Sequence, residues 1–158
     1  MEDLPVTAAV SLAGGAVDAH VLAAEQAAGL TGLRVGHGYV VQLLLAAPHT
    51  VGEIARRLGV TQQAASKTVG ELVTRGYVAR TDDPDGDRRR HPLALTDAGH
   101  RAVATARAAR ADLEDRLTDR VGADDVAAAR RVLAALLDEL GLGGPVAERR
   151  VPPPADRF

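Results

Sequence analysis

The sequence predicts a mainly α-helical fold carrying one small β-hairpin. Alanine-rich stretches with helically spaced apolar residues fill both ends of the chain. Two short amphipathic segments separated by a glycine occupy the middle. Directly after them, two short alternating runs bracket a loop crowded with acids and arginines, "DDPDGDRRR" from Asp82 to Arg90.

Taken in order, residues from about Thr7 to Ala28 form a first helix, weakened at its start by Gly14-Gly15. Leu33 to Ala47 form a second, with Val40, Val41, Leu44 and Leu45 on its apolar side and Pro48 as its stop. In "VGEIARRLGV", Val51, Ile54, Ala55 and Leu58 stand at i, i+3, i+4 and i+7, so this helix has only about two turns. Gly59 suits the left-handed position just past its end. Thr61 then caps the next helix by accepting a bond from a backbone N–H two or three residues on. That helix turns Ala65, Val69, Leu72 and Val73 one way and Gln62, Gln63, Ser66, Lys67 and Gly70 another, pairs Glu71 with Arg75 at i, i+4, and stops at Gly76.

"YVART" and "HPLALT" read as strands, the second with His91, Leu93 and Leu95 on one face. Pro92 has no N–H to give to a ladder, which places that strand at a sheet edge. Thr96 and Asp97 begin a long helix to about Arg120, broken by Gly122. The last helix, Asp124 to Leu140, sets Val126, Ala129, Leu133, Leu136 and Leu140 at spacings of 3 and 4, a stripe for packing along a partner, intramolecular or not. The Gly/Pro-rich tail after it is expected to be disordered.

Composition narrows the function. The 158 residues suit one compact domain with an added contact layer, and the aromatics are limited to Tyr39, Tyr77 and Phe158. Absence of cysteine excludes disulfides, thiolate metal sites and cysteine-based redox sensing within this chain. No two histidines stand at i, i+4, so nothing marks a metal site, and no cofactor is expected. The amino terminus lacks the layout of a signal peptide and no apolar run approaches bilayer length; a cytoplasmic chain without a membrane partner is expected. A net charge of −2 conceals a basic middle: eight basic residues stand against five acids between Ile54 and His91, and Lys67 is the chain's single lysine. No phosphate-cradling loop, serine-histidine-acid arrangement or supported carboxylate pair appears, so no catalytic residue is assigned and an enzyme is not expected.

Helix, glycine turn, helix and hairpin in that order make a winged helix-turn-helix. Gln bonds bidentately to adenine, Ser and Thr reach bases or phosphates, and Lys reaches guanine or phosphate. Thr61, Gln62, Gln63, Ser66 and Lys67 at the start of the second helix are therefore candidates to enter a major groove of double-stranded DNA. An ordinary solvated face would look the same if this helix stood alone. It does not: "VGEIARRLGVTQQAASKTVGELVTRGYVAR", "DPDGDRRR" and "LALTDAGH" together resemble the MarR family of bacterial transcriptional regulators from about Val51 to Arg101.

The resemblance implies that Asp87 orients a wing arginine and that Arg88 and Arg89, with Arg90 beside them, are the wing's DNA contacts; Gly86 lengthens this wing by one residue relative to the family pattern. A carboxylate-braced guanidinium has fewer rotamers to lose on binding than an unbraced one. The resemblance also implies a homodimer built by the first and last two helices, which sets two recognition helices about 34–36 Å apart on a pseudo-palindromic operator. Most such regulators repress transcription and release DNA when a small molecule binds between the dimer layer and the DNA-binding lobe. His37, Tyr39 and His100 are the effector candidates, with ordinary helix or dimer contacts as the other reading. The expected division is N-terminal helices over 1–47, a winged helix-turn-helix lobe over 48–96, C-terminal dimerisation helices over 97–141 and a tail over 142–158. Two other functions fit the fold: a winged-helix module for protein–protein assembly, and a DNA-binding regulator with no ligand response.

Overall fold

The computed structural model of the chain describes residues 3–81 and 91–144. Helices α1 (Val6–Ala27) and α2 (Val35–Ala46) precede a helix pair, α3 (Val51–Leu58) and α4 (Gln62–Thr74). Strands β1 (Val78–Arg80) and β2 (Leu93–Leu95) follow, and α5 (Asp97–Val121) and α6 (Ala123–Glu139) complete the chain. The architecture is the mainly helical winged helix-turn-helix that the sequence predicts. The expected tail lies, from residue 145 onward, outside the described residues.

Local chemistry sets the boundaries. Thr50 and Glu53 form a reciprocal cap at the start of α3: Glu53 N–H donates to the Thr50 hydroxyl at 3.3 Å, and Thr50 N–H donates to the Glu53 carboxylate at 2.8 Å. Gly59 ends α3 in the left-handed conformation, φ 65°. Thr61 Oγ1 then accepts from Ala64 N–H at 3.2 Å to start α4. These two glycine-and-cap steps fix the sharp turn between the helices within three residues.

Apolar faces of α2, α3, α4, the hairpin and the start of α5 meet in one core around Val40, Ile54, Leu72, Val78, Leu93 and Val103. Ile54 and Leu72 are completely buried, each contributing about 1.5–3 kcal/mol relative to exposure. Tyr77 closes the base of the hairpin: its ring is buried and its hydroxyl donates to the Thr31 carbonyl at 2.9 Å, tying the sheet to the loop before α2. Outside this core, α1 packs along α5.

The strand containing Leu93 is an edge strand of a two-stranded sheet, as Pro92 leads one to expect, with one isolated bridge on its far side. β1 and β2 pair antiparallel with Val78 opposite Leu95, and His49 adds a bridge on the other side of β2 through Leu93 N–H to the His49 carbonyl (2.9 Å) and back (3.1 Å). Pro92 costs nothing there because it lies one residue before the strand, where its carbonyl accepts from Thr81 N–H. One expectation needs correction: α1 has the length and the mean hydropathy, 1.5, to cross a membrane by composition alone. Alanine and valine raise that average although Asp18, His20 and Glu25 interrupt the run, and Asp18 faces Arg110 of α5 at 3.7 Å.

Candidate nucleic-acid interface and the cleft behind it

The two sides of α4 are chemically distinct. Ala65, Thr68, Val69 and Leu72 are buried against the core, while Thr61, Gln62, Gln63, Ser66, Lys67 and Gly70 are exposed. The structure thus gathers all five residues singled out in the sequence onto one outward surface at the N-terminal half of α4. Thr61 has a second duty, since its hydroxyl oxygen caps the helix. The other expected contacts, Arg88, Arg89 and Arg90, and Asp87, expected to orient a wing arginine, lie outside the described residues; on either side of them Thr81 N–H donates to the Pro92 carbonyl at 2.9 Å.

A polar junction sits on the inner side of α4. His37, in the first turn of α2, is only 1% exposed. Its Nδ1 accepts from the Arg34 backbone N–H at 3.2 Å, and its Nε2 lies 3.1 Å from Glu71 Oε2 on α4. Because a backbone N–H can only donate, Nδ1 carries the lone pair and Nε2 the hydrogen, which it donates to the carboxylate. Glu71 also pairs with the Arg34 guanidinium, and the Arg75 guanidinium stands 3.9 Å away. Burial pushes the His37 pKa below its ordinary value, against the upward pull of its bond to Glu71. The hydrogen bond from His37, then the charge of Arg34, hold the Glu71 carboxyl below the usual range. The i, i+4 partner Arg75, expected from the sequence, is therefore the outer member of a larger cluster.

Behind this junction a cleft of about 820 Å³ opens between α1, α2, α3 and α5. Val21, Leu22, Val41, Leu45 and Val103 give it apolar walls; Asp18, Glu25, Arg34, His37, His49, Arg57 and Arg110 supply its polar groups. Tyr39, half-buried, lines it as well, whereas His100 is exposed on α5 and does not. Burial raises the Glu25 carboxyl pKa, partly offset by Arg110, and lowers that of His49, where Arg57 adds to the effect. Among the described residues no three His, Asp or Glu side chains come together as a metal site.

Sequence reasoning missed Asp18, Glu25, Arg110, Arg34 and Arg57 as cleft residues. One signal was available: Asp18 and Glu25 stand seven apart, on the same face of an otherwise alanine-rich helix. Nothing in the sequence joined Arg34 and His37 to Glu71, because the contact spans more than thirty residues.

The MarR family profile matches residues 28–90. No curated protein sequence matches the chain significantly. Among solved structures, the transcriptional repressor CouR bound to a 23-mer DNA duplex is 32% identical, covers 84% of this chain and is covered over 92% of its own, with a TM-score of 0.61. The YusO protein from Bacillus subtilis, 22% identical, shares the fold with a TM-score of 0.65 over 84% of this chain and 92% of its own. A mutant of S. aureus MepR bound to an oligodeoxyribonucleotide, 18% identical, does so with a TM-score of 0.60 over 87% and 99%. Residues 28–90 take in α2, the helix pair and β1, and with the match to CouR along most of both chains they assign the chain to the MarR family, whose DNA-binding transcription-regulator fold it carries.

Proposed function

We propose that the chain is a homodimeric, sequence-specific DNA-binding regulator, a repressor that a small molecule occupying the cleft releases from its operator. The observation that carries this reading is the exposed Gln62, Gln63, Ser66 and Lys67 face of α4, whose side chains match base edges and phosphates while the opposite face is locked into the core. The likeness to CouR, solved on a DNA duplex, supports it. An assembly module of the same fold needs an apolar or acidic surface at that place.

Dimerisation is supported by apolar side chains that a single copy leaves uncovered. Leu133 and Leu140 of the α6 stripe are 41% and 64% exposed, beside Val132, and Leu117 and Val121 of α5 and Val6 and Leu12 of α1 are exposed too. In this reading residues 1–47 and 97–141 supply the subunit contacts and 48–96 the DNA-binding lobe. The cleft falls between them, with a volume within the usual ligand range of roughly 300–1,000 Å³. The protein acts in the cytoplasm, by binding and not by catalysis.

Selection of binding sites from a random duplex library at near-physiological salt tests the proposal. Enrichment of a pseudo-palindrome with half-sites about one helical turn apart is the expected result. If a folded, dimeric protein enriches nothing, DNA reading by α4 is wrong and the assembly module takes its place. The enriched duplex then serves to screen small molecules for release, and a failure of every cleft-binding compound to release it argues for a regulator without ligand response.

A further inference from the structure

The imidazole of His37 joins two elements whose relative position decides where α4 points. Toward α2 it takes the N–H of Arg34, the residue at the helix's N-cap position; toward α4 it gives its own N–H to Glu71. Glu71 follows Lys67 by four residues, one turn along the helix from the outward polar surface. Both bonds require the neutral ring with hydrogen on Nε2. A proton added to His37 must go to Nδ1, which then faces the Arg34 N–H donor to donor. That bond breaks, the first turn of α2 loses its cap, and the ring has to rotate or withdraw.

The surroundings disfavour the extra charge while the junction is closed. Arg34 before α2 and Arg75 on α4 oppose it, and Glu71 alone of the near groups favours it. From the other elements packed on α2, Asp18 and Glu25 of α1, Arg57 of α3 and Arg110 of α5 line the shared cleft, and β2 carries no titratable side chain. His37 is among the residues that line this cleft.

We propose that His37 is a positioning residue for DNA reading: its neutral imidazole fixes α4 against α2 through Glu71, and protonating it loosens that junction and weakens sequence-specific binding. The inference rests on the reading of α4 as the DNA-facing helix. It has a distinctive sign. Adding positive charge to a protein ordinarily strengthens its hold on the phosphate backbone, so acidification ought to help binding to any duplex; here it selectively harms the specific one.

The test measures affinity of the full-length protein for the library-selected duplex and for a random-sequence duplex by fluorescence anisotropy, at constant salt, from about pH 8 to about pH 5, which spans the ordinary histidine range. Specific affinity falls about tenfold or more on acidification, the size of an ordinary coupling between sites, while random-duplex affinity holds or rises. In His37→Phe, which fills the same space without either nitrogen, affinity for the selected duplex is already low at neutral pH and its pH profile is flat. Since that variant leaves the Arg34 N–H without its acceptor and takes one of its partners from Glu71, its folding needs a check by circular dichroism, and nitrogen-detected NMR of the wild-type histidines gives an independent reading. It finds His37 as the Nε2–H tautomer at pH 8, titrating together with the fall in specific affinity. Specific and random affinities that move in parallel, a folded His37→Phe that keeps the wild-type profile, or an Nδ1–H tautomer each overturns the inference. A wild type that binds neither duplex at any pH overturns instead the DNA-reading proposal, and this one falls with it.

Discussion

Gly99 lies against the backbone of Tyr77 so closely that a Cβ at residue 99 would stand 2.3 Å from the Tyr77 carbonyl oxygen. The same oxygen accepts from Thr96 N–H at 3.0 Å, and the Thr96 hydroxyl donates to the Gly76 carbonyl at 2.5 Å while accepting from Gly99 N–H at 3.2 Å. In this way the first turn of α5 is bolted onto the start of β1. The "LTDAG" run is explained physically: Thr supplies the cap and the cross-link, and only a residue without a side chain fits two turns of chain so near a carbonyl.

The first prediction follows from that contact. On an open helix surface Gly→Ala stabilises by about 0.5–1 kcal/mol. At residue 99 the added methyl meets backbone, which cannot move aside as a side-chain tip can, and overpacking of about 1–3 kcal/mol outweighs the propensity gain. Gly99→Ala therefore lowers the urea midpoint, whereas Gly70→Ala, where nothing lies within 4 Å, raises it. Equal shifts in the two variants contradict the packing argument.

Base reading makes a second prediction. Gln63 is exposed in the first turn of α4 and has no hydrogen-bonding partner among the described residues that ties its amide down, so it is available to pair with adenine. Gln63→Ala changes sequence preference, costing roughly 1–3 kcal/mol at one base pair of each half-site if the contact is bidentate. Repeating the library selection with the variant checks this. A loss spread evenly over all sequences removes Gln63 from base reading.

The wing is tested through salt. Arg88→Ala combined with Arg89→Ala weakens binding to selected and random duplexes alike, and it lowers the slope of log affinity against log salt by roughly 1 for each phosphate charge left without its arginine. Titrations at several salt concentrations measure the slope directly. An unchanged slope with unchanged affinity takes these two arginines out of the interface.

Much of this was legible in the sequence because it is local. Apolar spacing, the stop at Gly59, the cap at Thr61 and the cap at Thr96 each act within four residues, and the helices start and end close to where those signals place them. The outward Gln/Ser/Lys surface was legible for the same reason, since the apolar residues of α4 fix which way the polar ones face. What escaped is non-local. The bridge from His49 to Leu93 gives an isolated residue a strand's role, with no alternation around it to announce the pairing. The cleft acids and arginines come from helices far apart in the chain, and the bonds that His37, one of the effector candidates, makes to Arg34 and Glu71 are partly non-local too.

Glu25 supplies the last prediction, on stability and pH. Its carboxyl is buried on α1, and burial holds its pKa above the ordinary carboxylate value, with Arg110 only partly opposing. A carboxyl raised in the folded state favours folding while it is protonated in both states. That advantage is lost as pH rises through the folded value, because ionising Glu25 is then easier in the unfolded chain. Glu25→Gln keeps the shape and removes the charge. It raises stability at pH 7 to 8 by on the order of 1 kcal/mol, seen as a higher Tm, and the gap to wild type closes near the ordinary carboxylate range. His37 and His49, lowered by burial, work in the other direction: the stability they contribute when neutral is lost as pH falls below the ordinary histidine value, in wild type and variant equally. Thermal melts of both proteins across that range therefore isolate Glu25 as the difference. A variant less stable than wild type at pH 8 means that Glu25 is ionised in the fold and held there by Arg110.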